Sequence, residues 1–318
     1  MSITVSAPGK VHLLGEHTVV YGKPALLSAI NLRTYVTVKR KTSPKKQSIV
    51  QIDASHNRQF IKKIASFLQE KFPLPQATEL NISVRSNLPI GSGLGSSAAV
   101  SAALVGAYLN VVKNTWNPNK INEFTYSIEK ITHGNPSGAD NTTVVFGGLV
   151  WFRKEFEFLK SIWSLPISSY TFPKFFLLHS GKPKEPTREM VEQVALSYKK
   201  KKELFESIFA DQEYQTKKLL LSLKTGNIVD MKSALFSGEK NLEKIGVVGK
   251  KAQSIIRELE KSGGVGKISG AGGIAKGSGM ILCFHEKPSR IETISKRFSI
   301  PFYPVVLGQE GIRIDEKD

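Results

Sequence analysis

"LPIGSGLGSSAAVSAALVGAYLNVV", residues 88–112, joins a strand pattern at Leu80–Arg85 to an Ala-rich, uncharged helix pattern at Ala98–Val112. Gly91, Gly93 and Gly95 stand between them, followed by Ser96 and Ser97. Glycines at alternate positions let successive backbone N–H groups turn into one concavity, and the helix that follows aims its positive end there. The guest such a cradle suits is a polyphosphate. A hydroxyl at the helix start can cap the helix or coordinate a phosphate-bound Mg²⁺, and two adjacent serines allow both. The same glycines also suit a plain strand-to-helix turn. Two familiar glycine loops are excluded by spacing. A P-loop needs a lysine directly after its last glycine, and none follows Gly95; the dinucleotide fingerprint needs G-x-G-x-x-G with an acid ~20 positions on, whereas here the pattern is G-x-G-x-G and the next acid is Glu123.

The chain of 318 residues is long enough for two closely joined domains with a large core. Hydrophobic residues make up 40% and charged residues 23%, and no apolar run approaches the ~20 residues of a membrane span. The amino terminus, MSITVSAPGK, lacks the pattern of a secretory signal, and Cys283 is the only cysteine, so the expectation is a cytoplasmic protein without an intramolecular disulfide. Lys and Arg outnumber Asp and Glu by 45 to 27, giving +18. The lysines are scattered over nearly every helix pattern, and the densest run, Lys199–Lys202, reads as a solvated face. The charge therefore points to anionic small molecules such as ATP ahead of nucleic acid.

The first half mixes strand patterns (Ser2–Ser6, Thr34–Arg40, Ser48–Ile52, Leu80–Arg85) with helical ones (Arg58–Lys71, Ala98–Val112, Ile121–Ile131) and a polar turn at 41–46. From Pro186 to about Leu259 the spacing is helical; strands return at Lys267–Ser269, Met280–His285 and Phe302–Leu307. Gly181, Pro183 and Pro186 interrupt the pattern, which places a boundary near 181–186.

In "APGKVHLLGEHTVVYGKPAL", residues 7–26, Lys10, Glu16 and His17 sit among apolar residues, and a buried lysine needs an anionic partner. His12 and His17 match no helical zinc pair. In "HGNPSGADN", residues 133–141, Pro136, Ser137 and Gly138 read as a turn into a new helix that Ser137 caps, with Asp140 in its first turn, where the helix dipole favours a carboxylate.

"PGKVHLLGEHTVVYGKPAL", "PIGSGLGSSAA" and "KISGAGG" resemble, in order, the three motifs of the galactokinase, homoserine kinase, mevalonate kinase and phosphomevalonate kinase (GHMP) superfamily, and the similarity runs over nearly the whole chain. "GEHTVVYGKPAL", "HGNPSGADN" and "SGKPKEPTREMV" (180–191) are most similar to its mevalonate kinase branch. The resemblance implies an α+β, two-lobed fold. Its N-terminal lobe, over 1–182, would be of the ribosomal protein S5 domain 2 type. Its C-terminal lobe, over 183–318, would be ferredoxin-like with added helices, and the active site would lie between the two. The implied reaction is ATP-dependent phosphorylation of the C5 hydroxyl of mevalonate. Gly91, Ser92, Gly93, Leu94, Gly95, Ser96 and Ser97, with Gly270, Ala271 and Gly272, would hold the nucleotide. Ser97 and Glu129 would hold Mg²⁺, Asp140 would be the base or the anchor of the hydroxyl with Lys10 paired to it, and Glu16, His17 and Thr187 would line the mevalonate pocket. Similar enzymes are often homodimers; neither nucleic acid nor a membrane is an expected partner. Rival readings are another kinase of the superfamily (phosphomevalonate, mevalonate 3- or sugar kinase) and a silent sensor or nucleic-acid-binding relative. One departure stands out: Ile274, Ala275 and Lys276 interrupt the third motif's glycine run.

Overall fold

The structure, a computed structural model, describes residues 1–43, 48–54, 57–89, 91–134, 136–156 and 158–317; the polar turn at 41–46 lies partly outside them. In chain order the first part runs β1 (Ser2–Leu14), β2 (Ala25–Thr42), β3 (Ile49–Ala54), α1 (Arg58–Lys71), β4 (Thr78–Ser86), α2 (Ser96–Lys113), α3 (Pro118–His133), α4 (Ala139–Phe146), β5 (Leu149–Lys154) and β6 (Lys160–Leu165). The second part runs β7 (Phe175–His179), α5 (Thr187–Lys200), α6 (Lys202–Thr225), α7 (Ile228–Lys244), α8 (Lys250–Lys261), β8 (Val265–Ser269), β9 (Met280–Phe284), α9 (Pro288–Phe298), β10 (Phe302–Val305) and β11 (Arg313–Lys317).

The first sheet follows the order β11-β1-β2-β4-β3, and the near end of the long strand β2 also pairs β5, which carries β6. β1 outruns the strand expected at Ser2–Ser6: it is buried along nearly its whole length, so it reads as a continuous apolar run instead of an alternating one. Its register against β2 slips between Pro8 and Lys10 and again between His12 and Leu14. Such bulges bend a strand and re-aim its side chains, and here they bracket Lys10. Over this sheet lies α2, buried almost all round. By length and composition α2 could cross a membrane, but 78% of it is buried inside the protein, as in a core helix.

The second sheet has the order β10-β7-β9-β8, all antiparallel, with α5 to α8 between β7 and β8 and α9 between β9 and β10. That is the ferredoxin-like β-α-β-β-α-β arrangement with extra helices. The chain enters this sheet at β7, ahead of residue 183, and leaves it after β10 to rejoin the first sheet as β11, which pairs β1. Strand alternation then welds the lobes together. Phe175, Leu177, Met280, Leu282 and Phe284 face the core of the first lobe, while Phe176, Leu178, Ile281 and Cys283 face the helices of the second.

Candidate active site

The glycine loop sits where the two sheets meet. Gly91, Gly93 and Gly95 have φ of 66°, 83° and 69°, left-handed values that favour glycine. A Cβ on Gly93 would lie 2.2 Å from the Ser269 carbonyl oxygen, so this loop and the third motif touch backbone to backbone. The Lys10 N–H donates to the Leu94 carbonyl (2.9 Å) and the Met280 N–H to that of Ser92 (3.0 Å), clamping the loop between β1 and β9. The Ser92 and Leu94 side chains are buried, which leaves their backbone, not their side chains, for a ligand. Gly95 is the N-cap of α2, and neither Ser96 nor Ser97 caps it. Instead the Ser97 hydroxyl donates to the Glu129 carboxylate from α3, at 3.1 Å.

Lys10 is brought to Asp140. Its ammonium lies 3.1 Å from Asp140 Oδ1; the lysine is 2% exposed and the aspartate 37%, so the carboxylate is anchored yet open to the cleft. Asp140 falls in the first turn of α4, whose N-cap is Gly138; the Ser137 hydroxyl accepts from the Ala139 N–H at 3.2 Å, one residue outside the cap position. Lys10 also touches His12 Nδ1 at 2.9 Å. An ammonium only donates, so Nδ1 accepts and the His12 proton sits on Nε2. Burial, then the charges of Lys10, Lys267 and His17, hold His12 well below its ordinary value, and it stays neutral.

Glu129 is pushed up to about 8, first by burial and then by the Asp140 charge, against the Ser97 hydrogen bond and Lys10. Two carboxylates and a hydroxyl, from the first turns of α2 and α4 and the last turns of α3, are hard oxygen donors of which Lys10 offsets only one charge. That set fits Mg²⁺.

The turn after β1 places Glu16 and His17. Gly15 adopts φ 101°, and a Cβ there would strike the Ala25 Cα at 2.4 Å; His17 follows with φ 59°, strained for a residue with a side chain. His17 Nε2 lies 3.0 Å from the Ala271 carbonyl, which can only accept, so Nε2 carries the proton and the buried Nδ1 is a bare acceptor with no partner among the described residues. Burial pulls its pKa down to about 4, against the Ala271 hydrogen bond. Of the two partners read for His17, a carboxylate or a hydroxyl, this neutral tautomer suits the hydroxyl.

Two residues given no role by the sequence complete the cluster, one of them, Lys267, being the first residue of the third motif. Lys267 on β8, fully buried, pairs with Glu16 and donates to the His12 carbonyl at 3.2 Å. Glu239 on α7, also fully buried, accepts from the Ile268 N–H at 2.9 Å and is pushed up to about 8 by burial, against that hydrogen bond and Lys267. Folding therefore takes up a proton at Glu239 between its ordinary 4.5 and about 8, so its contribution to stability is full below that window and is lost as pH rises through it. The loss amounts to at most about 1.4 kcal/mol per pH unit. Urea unfolding of Glu239→Gln should show a flatter decline from pH 6 to 8 than the wild type; parallel curves would sink this account.

Thr187 stands exposed in the first turn of α5, and no described contact ties it to the Lys10–Asp140 pair. In the third motif Gly270 and Gly272 have φ of 97° and 75°; Gly270 packs on Gly93, and Gly272 packs on the Val247 carbonyl. Lys276 is exposed. The N–H groups of Ile274 and Ala275 donate to the Glu185 carboxylate (3.3 and 2.9 Å).

The family model described as "GHMP kinases N terminal domain" matches residues 59–148, spanning α1 to α4 with the glycine loop between, and the "Galactokinase galactose-binding signature" matches residues 2–40. A mevalonate kinase of Pyrococcus horikoshii is 30% identical over 99% of this chain and 98% of its own length, and one of Archaeoglobus fulgidus is 32% identical over 84% and 88%. The chain belongs to the mevalonate kinase family. Among solved structures, mevalonate kinase of L. major in complex with R-mevalonate superposes with a TM-score of 0.82 at 19% identity, covering 96% of this chain and 95% of that one. Mevalonate kinase of Methanococcus jannaschii follows at 0.79 and 20%, covering 97% and 99%. These likenesses fix the α+β GHMP kinase fold.

Proposed function

We propose that the protein transfers the γ-phosphoryl group of ATP to the C5 hydroxyl of mevalonate, giving 5-phosphomevalonate and ADP. The observation that carries this reading is the Lys10–Asp140 pair, anchored on one side and open on the other, beside a glycine loop at a helix start. Phosphoryl transfer asks for positioning and charge neutralisation more than covalent chemistry. In this reading Asp140 receives the hydroxyl and holds its oxygen in line, or takes its proton. Lys10 holds Asp140 in place and offsets charge on the attacking oxygen. Ser97 and Glu129 hold Mg²⁺, which when bound neutralises the phosphates. Glu16 and the bare Nδ1 of His17 accept from substrate hydroxyls; Thr187, from its exposed place on α5, reaches the substrate only if that helix closes over the cleft. A cytosolic location belongs to the same reading, with the buried Cys283 thiol pushed up by desolvation and inert.

The test is a steady-state assay with Mg·ATP and a panel of acceptors: mevalonate, phosphomevalonate and, because of the galactose signature at residues 2–40, galactose. Turnover with mevalonate is expected. Turnover with phosphomevalonate or galactose alone would overturn the assignment. Ser97→Ala should raise the Mg²⁺ concentration needed for half-maximal rate as well as lower kcat; an unchanged Mg²⁺ dependence would remove Ser97 from the metal site.

A further inference from the structure

The segment 180–186 is tied at both ends to the third motif and runs beside the glycine loop. At its start the Ser180 hydroxyl accepts from the Ser278 N–H (3.0 Å) and donates to the Gly279 carbonyl (2.8 Å), and the Gly279 N–H donates to the Gly181 carbonyl (3.0 Å). At its end Glu185 fills the paired N–H groups of Ile274 and Ala275, the first two residues of the interruption in the glycine run. Those five contacts fix the backbone that carries Lys182. Its side chain is laid along the outer end of the glycine loop. A Cβ on Gly91 would sit 2.9 Å from Lys182 Cε and 3.6 Å from Nζ, so the stem occupies space that only a glycine leaves open. Among the described residues this ammonium has no hydrogen-bonding or carboxylate partner. At the loop's other end Lys10 packs against Gly95 in the same way, its Cγ 2.9 Å from where a Cβ would lie, but its charge is matched by Asp140.

The geometry points to Lys182 as a second cation of the nucleotide site, binding the polyphosphate at the Gly91 end of the loop, with Glu185 as the residue that positions it. A loop of three left-handed glycines leading into a helix start gathers partial positive charge without any full charge of its own, and a lysine at its open end adds a compact point charge with three donors. Glu185 does not touch the phosphates. It converts the backbone N–H pair of the interrupted motif from an anion site into an anchor for the strap. The inference rests on the reading of the protein as an ATP-dependent kinase, and its test separates the two.

The measurement is calorimetric binding of Mg·ADP, inorganic tripolyphosphate and adenosine to the full chain, alongside KM for ATP and for mevalonate. Lys182 is exposed, so its replacement leaves folding intact. Loss of one charge-assisted contact predicts that Lys182→Met weakens tripolyphosphate and Mg·ADP by roughly tenfold or more, with adenosine unchanged and KM for mevalonate within twofold. Lys182→Arg should restore most of the affinity. Glu185→Ala should reproduce part of the loss, while Glu185→Gln, which keeps an acceptor for the Ala275 N–H, should retain most of the binding. Equal tripolyphosphate binding by wild type and Lys182→Met overturns the inference, as does a loss confined to mevalonate. Glu185→Ala binding like wild type overturns the positioning role. A wild-type protein that binds no Mg·ADP at all overturns the kinase reading instead.

Discussion

Asp140→Asn is expected to lower kcat by about a thousandfold or more while leaving the affinity for Mg·ATP nearly unchanged, as for groups that act mainly in the transition state. Asparagine keeps the shape of the side chain in the first turn of α4 and removes only its charge. What is lost is the anion that anchors Lys10 at 3.1 Å and receives the substrate hydroxyl. Lys10→Met should be as damaging by a second route. It leaves Asp140 without its cation and deprives His12 Nδ1 of its donor, yet it keeps a flexible side chain against Gly95. The two lesions fall on one unit, so the double variant should be little worse than either single one. Equilibrium binding of Mg·ATP and the rate at saturating substrates check both. A near-normal kcat for Asp140→Asn would remove the carboxylate from the chemistry, and additive losses in the double variant would mean that the pair does not act together.

The glycine loop was legible because φ above zero demands a particular residue, and Gly91, Gly93 and Gly95 all meet that demand. Lys10 was legible for a related reason, being a charge set among apolar neighbours where an ion needs a partner; Asp140 was legible as a first-turn carboxylate, and its pairing with Lys10 only through the family resemblance. Lys267 and Glu239 gave no such signal. Lys267 reads as one polar position of a short strand and Glu239 as part of a polar helix face; Lys267 finds Glu16, 251 residues away, only where the lobes meet, and Glu239 finds the Ile268 N–H only when α7 packs on β8. The sheet exchange was hidden too. β11 has the sequence Arg-Ile-Asp-Glu-Lys, which reads as a solvated tail, but charges are common on the exposed side of an edge strand, and this one closes the edge of the first sheet against β1. The turn chemistry was nearly right: Ser137 binds the N–H of Ala139, but the left-handed Gly138 takes the cap position itself.

Lys267→Met should be the most destabilising of the substitutions considered, by about 3–5 kcal/mol, because removing one member of a buried pair strands the other. Glu16 is 2% exposed, and its second carboxylate oxygen already has no protein partner; without Lys267 it would be a buried carboxylate lacking any cation. The His12 and Ile268 carbonyls would lose their donor as well, on strands from opposite lobes. With total stability ordinarily about 5–15 kcal/mol, such a loss brings the protein close to unfolding at 37 °C. Glu16→Gln in the same chain removes the stranded charge, so the double variant Lys267→Met/Glu16→Gln should recover part of the stability. Turnover should not recover fully, since the proposed acceptor of a substrate hydroxyl has lost its charge and half of its acceptor capacity. Urea unfolding of the wild type, both single variants and the double variant forms a cycle that isolates the pair. A single Lys267→Met variant within about 0.5 kcal/mol of wild type, the usual span of surface substitutions, would show that water or a shifted side chain relieves Glu16. Its buried free oxygen would then be no measure of readiness for substrate.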